Sequence, residues 1–168
     1  MSGMTTIADG SYLGRMLALV GGRDTVGALA EGAERVAAAA RRAGSSGLER
    51  PWAPGKWSGR QVLAHLADAE MAIGFRVRQV LSQERHAMQE FDEAAWMGLY
   101  RDVDVEAALA AFQAGRRWMV HFVRQLGPAE LARVGVHPRR GEETVETSIR
   151  ALAGHTFSHA AQLEKLPL

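Results

Sequence analysis

Six histidines carry the most obvious chemistry in this chain, and their positions divide them. His155 and His159 stand four apart in a helical stretch, so both rings leave one face. At about 100° per residue they lie about 80° and 40° to one side of the line through Val145, Ile149, Leu152, Thr156 and Leu163. They therefore border a buried stripe. His65 lies about 60° from the Val62–Val80 line of an earlier stretch. Three neutral imidazoles on two core-bordering faces suit a divalent transition metal: zinc, nickel, copper or iron. They leave positions open for water or substrate. With no carboxylate among the ligands the ion keeps its full charge, binds anions and lowers the pKa of a bound water or thiol.

The plainer alternative for any one of these residues is a hydrogen-bonded core histidine. A spacing of four also arises by chance in helical chains. The conjunction of the pair with His65 on a separate stripe carries the metal expectation. The other three read differently. His121 lies about 180° from Phe112 and is expected at the surface. His86 is placed at a helix end, where it complements the dipole. His137 precedes a proline in a loop. Sharper signatures are missing: no Glu-x-x-His, no His-Glu-x-x-His, no Gly-x-Ser-x-Gly and no phosphate-binding Gly-Lys-Ser/Thr. Zero cysteines exclude disulfides, thiolate-zinc sites, iron–sulfur clusters and a cysteine nucleophile.

The elements that must position these residues are helical. The chain has 168 residues, with 29 Ala against 3 Ile, a bias toward helix formers. Periodicity predicts long helices over 24–43, 58–82, 104–126 and 144–165, and a short one over 92–100. Ser58 and Gln61 form a capping box. A Pro/Gly-rich loop over 44–57 holds Trp52 and Trp57, and 133–143 reads as a loop or short hairpin. Gly74, Gly115 and Gly154 at helical positions are expected to allow close helix approach. The reading is an all-α four-helix bundle with long loop connections, one domain over 1–168. Its N-terminal extension, 1–22, is poorly defined, though Leu13, Met16, Leu17 and Val20 have helical spacing.

The net charge of +1 argues against a nucleic-acid partner, and the doublets Arg41-Arg42, Arg116-Arg117 and Arg139-Arg140 read as solvated. No apolar run reaches the roughly 20 residues of a membrane span. No signal core precedes the domain, so a cytoplasmic protein is expected.

Three pieces of sequence resemble the DinB/YfiT-like family of small metalloenzymes. The first is Trp57-Ser58 followed by Gln61 through Glu70, similar to the family's W-S … H-L-x-x-x-E second helix. The second is the long polar connection before the last helix. The third is His155-x-x-x-His159-Ala160-Ala161-Gln162, similar to the family's final-helix pattern ending His-x-x-Gln. Together they span about Trp57 to Leu163. The resemblance implies a three-histidine site for Ni2+, Zn2+ or a similar ion, with His65, His155 and His159 as ligands. Many members have more histidines in this final motif, often with Arg-Gly between the last His and the Gln; this chain has Ala160-Ala161 there, so only two ligands come from the last helix. Characterised relatives use low-molecular-weight thiols such as bacillithiol, mycothiol or glutathione, and homodimers are common among them.

The leading expectation is therefore a metal-dependent thiol S-transferase acting on a small molecule. Trp57 would form an apolar wall, and Arg76 or Arg150 would meet substrate carboxylates. A metal-dependent hydrolase ranks second, because Asp68 and Glu70, the nearest candidate bases, lie off the His65 line. A non-catalytic metal-binding bundle is the third reading.

Overall fold

The computed structural model describes residues 11–167. The first ten positions of the N-terminal extension lie outside them. Helix starts follow from side chains that satisfy free backbone N–H groups. Ser11 caps α1 (Tyr12–Val20), and Asp24 caps α2 (Thr25–Leu48). Ser58, with the expected Gln61 capping box, starts α3 (Gly59–Ser82). Asp92 starts α4 (Glu93–Leu99), and Asp104 starts α5 (Val105–Val123). A single turn, α6 (Pro128–Leu131), precedes β1 (Val134–His137) and β2 (Gly141–Thr144). Thr144 then caps α7 (Val145–Leu163). The polar 133–143 stretch is thus an antiparallel hairpin, with Val134 opposite Thr144.

Two elements differ from the sequence reading. The second helix does not end at Gly44. It bends there, at φ 62° and ψ −178°, and continues to Leu48. Only glycine reaches that conformation without strain. The other difference is α1, which packs on α7 through Gly154. A Cβ at Gly154 would overlap the Met16 backbone carbonyl, so the absent side chain lets α1 press directly on α7.

The four long helices are α2, α3, α5 and α7, and the chain threads them unusually. Leu63, Val36, Phe112 and Leu163 share one apolar cluster, and Leu29, Val77, Met119 and Ile149 share another. Glu70 meets Gly115 and Gly74 meets Met119, so α3 and α5 run in the same direction. His65 meets His155 and His159, while Arg133 donates to the Val80 carbonyl and accepts from the Val145 N–H that starts α7, so α3 and α7 run oppositely. Parallel neighbours cannot be joined by a tight turn. The connection from Gln83 to Asp104 must therefore travel back along the bundle, and it carries Phe91 and α4 to the His65 end.

A polar layer separates the two apolar clusters. Arg116, 1% exposed, donates to both Glu70 carboxylate oxygens, to the Leu29 carbonyl at 3.0 Å and to Thr156 Oγ1 at 2.8 Å. One guanidinium thus ties α2, α3, α5 and α7. This corrects the expectation that the Arg116-Arg117 doublet is solvated: Arg117 is exposed, whereas Arg116 faces inward beside Phe112. Among the described residues no helix is long and apolar enough to cross a membrane.

Candidate metal centre

The antiparallel pairing of α3 with α7 decides where the histidines meet. His65 leaves the inner face of α3, and the one-turn spacing of His155 and His159 stacks two rings opposite it. His65 Nε2 lies 2.9 Å from His155 Nε2, which lies 3.0 Å from His159 Nε2. The three ring centroids are 4.5 to 4.9 Å apart. The structure thus brings together the three residues singled out in the sequence, and among the described residues they form a group able to hold a metal ion.

Protonation decides whether the donor set fits a cation. His159 Nδ1 donates to Gln162 Oε1 at 2.9 Å, since a carbonyl oxygen only accepts. Its Nε2 then presents a lone pair inward. A proton on His155 Nε2 could satisfy one of its two neighbours, not both. Three converging nitrogens with too few protons are matched by a cation. Nitrogens ligating one zinc at about 2.0–2.1 Å lie no more than about 4.2 Å apart, and the observed contacts fall inside that limit.

The electrostatics agree. Burial, with repulsion from His159 added, lowers the His65 pKa to about 3. Burial likewise depresses His155, with His159, His65 and Arg116 adding repulsion. His159 is lowered by burial, partly offset by its bond to Gln162. All three are neutral at pH 7, the form that ligates. His155 and His159 lie deep yet keep part of their surface accessible, so the site can be reached.

Aromatic rings enclose His65. Trp57 stands 5.0 Å away and Phe91, from the returning connection, 6.4 Å. The carboxylate beside the site is one the sequence did not single out. Glu93 Oε2, at the first position of α4, is 3.5 Å from His65 Nε2. Its side chain is 59% exposed, but its carboxyl end faces the crowded site, where burial and then Asp92 raise its pKa. No periodicity could reveal Glu93, because it arrives on a short connecting helix.

The bases considered from sequence are engaged elsewhere. Glu70 is locked to Arg116, and Asp68 accepts from the Tyr100 hydroxyl at 2.8 Å. Arg150 is not available for substrate: it donates to the carbonyls of Gly21 and Arg23, closing the α1–α2 turn. The remaining histidines stay apart. His121 is exposed and stacks on Trp118, and His86 falls beyond α3 and pairs with Gln83. His137, read as a loop residue, is buried at the end of β1, its Nδ1 accepting from the Arg139 and Arg140 backbone. A groove of about 660 Å³ opens on another side of α3, toward α5, and touches none of the three clustered histidines.

Comparison with known proteins agrees with this architecture. The family model described as the DinB superfamily matches residues 28–163. A Bacillus subtilis protein named "Putative metal-dependent hydrolase YfiT" is 31% identical over 124 residues, 72% of this chain and 70% of that protein. An Oceanobacillus iheyensis protein with the same class name is 28% identical over 120 residues, 71% of this chain and 70% of its own. The solved structure of Bacillus subtilis YfiT superposes with a TM-score of 0.76 at 24% identity, over 97% of this chain and 89% of that one. It is described as having an unusual four-helix bundle topology.

Proposed function

This chain belongs to the DinB superfamily, and from that membership we propose that it is a metal-dependent hydrolase whose ion is held by His65, His155 and His159. The observation that carries the reading is the convergence of three neutral Nε2 atoms beside the Glu93 carboxyl. A divalent ion bound there lowers the pKa of water and stabilises negative charge on an oxygen. Gln162 fixes the tautomer of His159, so that Nε2 is the ligating atom. Trp57 and Phe91 exclude bulk water from the His65 side. Glu93 Oε2 is the atom that takes and returns a proton. Periodicity places no base beside His65; Glu93 supplies one.

An imidazole-only set suits nickel or zinc. Elemental analysis of untagged protein tests this. Esterase and amidase assays on metal-loaded protein, with no thiol present, test the reaction. Turnover that needs both metal and its three ligands is expected. No hydrolysis of any ester or amide with the metal in place would overturn the reading.

The second reading is S-transfer from a low-molecular-weight thiol such as bacillithiol to an electrophilic small molecule. The donor set supports it: with no anionic protein ligand, the site favours a thiolate. The chain has no cysteine, so the sulfur would come from solution. Monochlorobimane conjugation that requires both metal and thiol would put this reading first. A cytoplasmic setting and a homodimer belong to the same proposal, and sedimentation of the purified protein tests the dimer.

A further inference from the structure

Two arginines are buried among the described residues, and their surroundings differ. Arg116 is fully paired. Arg76, 8% exposed, has no carboxylate partner, and its one hydrogen bond there runs from Nη2 to the Gln89 carbonyl. Its Nε is buried with no acceptor. The carboxylates in its field are Glu90 and Glu143, and both are committed. Glu90 binds Arg139 at 2.7 Å. Glu143 binds Arg140 at 2.8 Å and accepts from the Ser148 hydroxyl at 2.8 Å. Arg76, Arg139 and Arg140 against Glu90 and Glu143 leave one positive charge in excess. A buried guanidinium in that state is costly until an anion completes it.

Two other arginines also have an unpartnered buried nitrogen, but neither is comparable. Arg60 pairs with Glu49 and Asp102, and Arg78 lies over the Phe122 ring at 4.3 Å. Arg76 alone stands on the histidine face of α3. Eleven residues separate it from His65, which is three turns, an angular offset of about 20° and roughly 16 Å along the axis. Between them on that face are the small side chains of Ala69 and Ala72. Opposite, α7 runs from His155 past Ala151 to Ser148, which holds Glu143.

We propose that the α3 face carrying His65 has a second, carboxylate-binding end at Arg76, so that the substrate carries a carboxylate joined through an apolar linker to the reacting group. The histidine end of this proposal rests on the function proposed above. The charge surplus of one selects a monoanion, and the planar fork of donors matches a carboxylate. A phosphate dianion would leave the pocket negative.

The test uses octanoate as probe and calorimetry on metal-free protein, so that no ion contributes. Wild type binds octanoate at least about tenfold more tightly than Arg76→Met, the difference expected of a charge-assisted pair. Arg76→Lys, which keeps the charge without the fork, is weaker than wild type. Arg117→Met, which removes an exposed guanidinium outside this cluster, leaves binding unchanged. Ala72→Leu adds bulk to the α3 face between Arg76 and His65, weakens octanoate with Arg76 intact, and serves if Arg76→Met fails to fold. Equal affinity of wild type and Ala72→Leu, or of wild type and the Arg76 variants, overturns the proposal. So does inorganic phosphate that displaces octanoate at equal concentration. A nickel-loaded arm separates the two readings by comparing suberic acid monohydroxamate with octanohydroxamate. If neither binds, the histidine reading fails and the octanoate arm still decides Arg76.

Discussion

The Glu70 carboxylate meets the Arg116 guanidinium at 2.7 Å with both side chains almost wholly buried, and the same guanidinium donates to Thr156, the residue after His155. Removing one partner of such a pair strands a charge in the core. Arg116→Met alone should cost about 3–5 kcal/mol, because Glu70 loses its counter-ion and Thr156 a donor. The double variant Arg116→Met with Glu70→Leu should recover a large part of that loss. Urea unfolding of the two proteins checks this, and equal stability of the single and double variants would contradict it.

Gln162 touches only one of the three clustered histidines, yet it sets which nitrogen of His159 faces inward. Gln162→Leu frees the tautomer and should weaken metal binding by about 10–100-fold while helical content is kept. His159→Ala should instead abolish stoichiometric binding. Competition with a chelator of known affinity measures both, and an unchanged affinity in Gln162→Leu would remove the residue from the site.

Much of this arrangement was legible in the sequence because helices have a fixed period. The stripe through Val145, Ile149, Leu152 and Leu163 placed α7, and the same arithmetic put His155 and His159 at its edge. The capping box at Ser58 and Gln61 set the start of α3. The rest depended on relations between elements that no period encodes. Glu93 reaches His65 only because α3 and α5 run parallel, which forces a return connection past the site. Arg116 lies in a charged doublet and looked solvated, although its partner Glu70 is 46 residues away on another helix. The turn at Gly44 looked like an end because glycine commonly ends helices, whereas here it permits a bend.

Glu93 separates ligation from proton transfer. Glu93→Gln keeps size and hydrogen bonding but cannot hold the proton. Turnover should fall by roughly 10²–10⁴, the usual range for a positioned acid–base group, with metal content unchanged. Paired elemental analysis and kinetics on the same sample give both readouts. Loss of the metal together with activity would make Glu93 a ligand instead.

The contact of α1 with α7 depends on one missing side chain. Gly154→Ala would drive a methyl into the Met16 carbonyl, so α1 must shift or the helices part. A loss of about 1–3 kcal/mol is expected, as for other overpacked cores. Because Tyr12 rides on α1, the same variant should also raise the solvent accessibility of the Tyr12 ring. Thermal melts and tyrosine fluorescence quenching follow the two effects.

The depressed histidines make the metal-free protein acid-sensitive, and the sign follows from proton uptake. His65 has a folded pKa of about 3, against about 6.5 when unfolded. Between those values the unfolded chain binds a proton that the folded one does not. Stability is therefore complete above about 6.5 and falls as the pH drops toward 3. His155 and His159 are shifted in the same direction and add to the slope. His65→Leu has one such group fewer, so it should lose less stability than wild type between pH 7 and pH 5. Chelator-treated samples melted across that interval provide the comparison. Parallel curves for the two proteins would show that His65 is not held neutral by the fold.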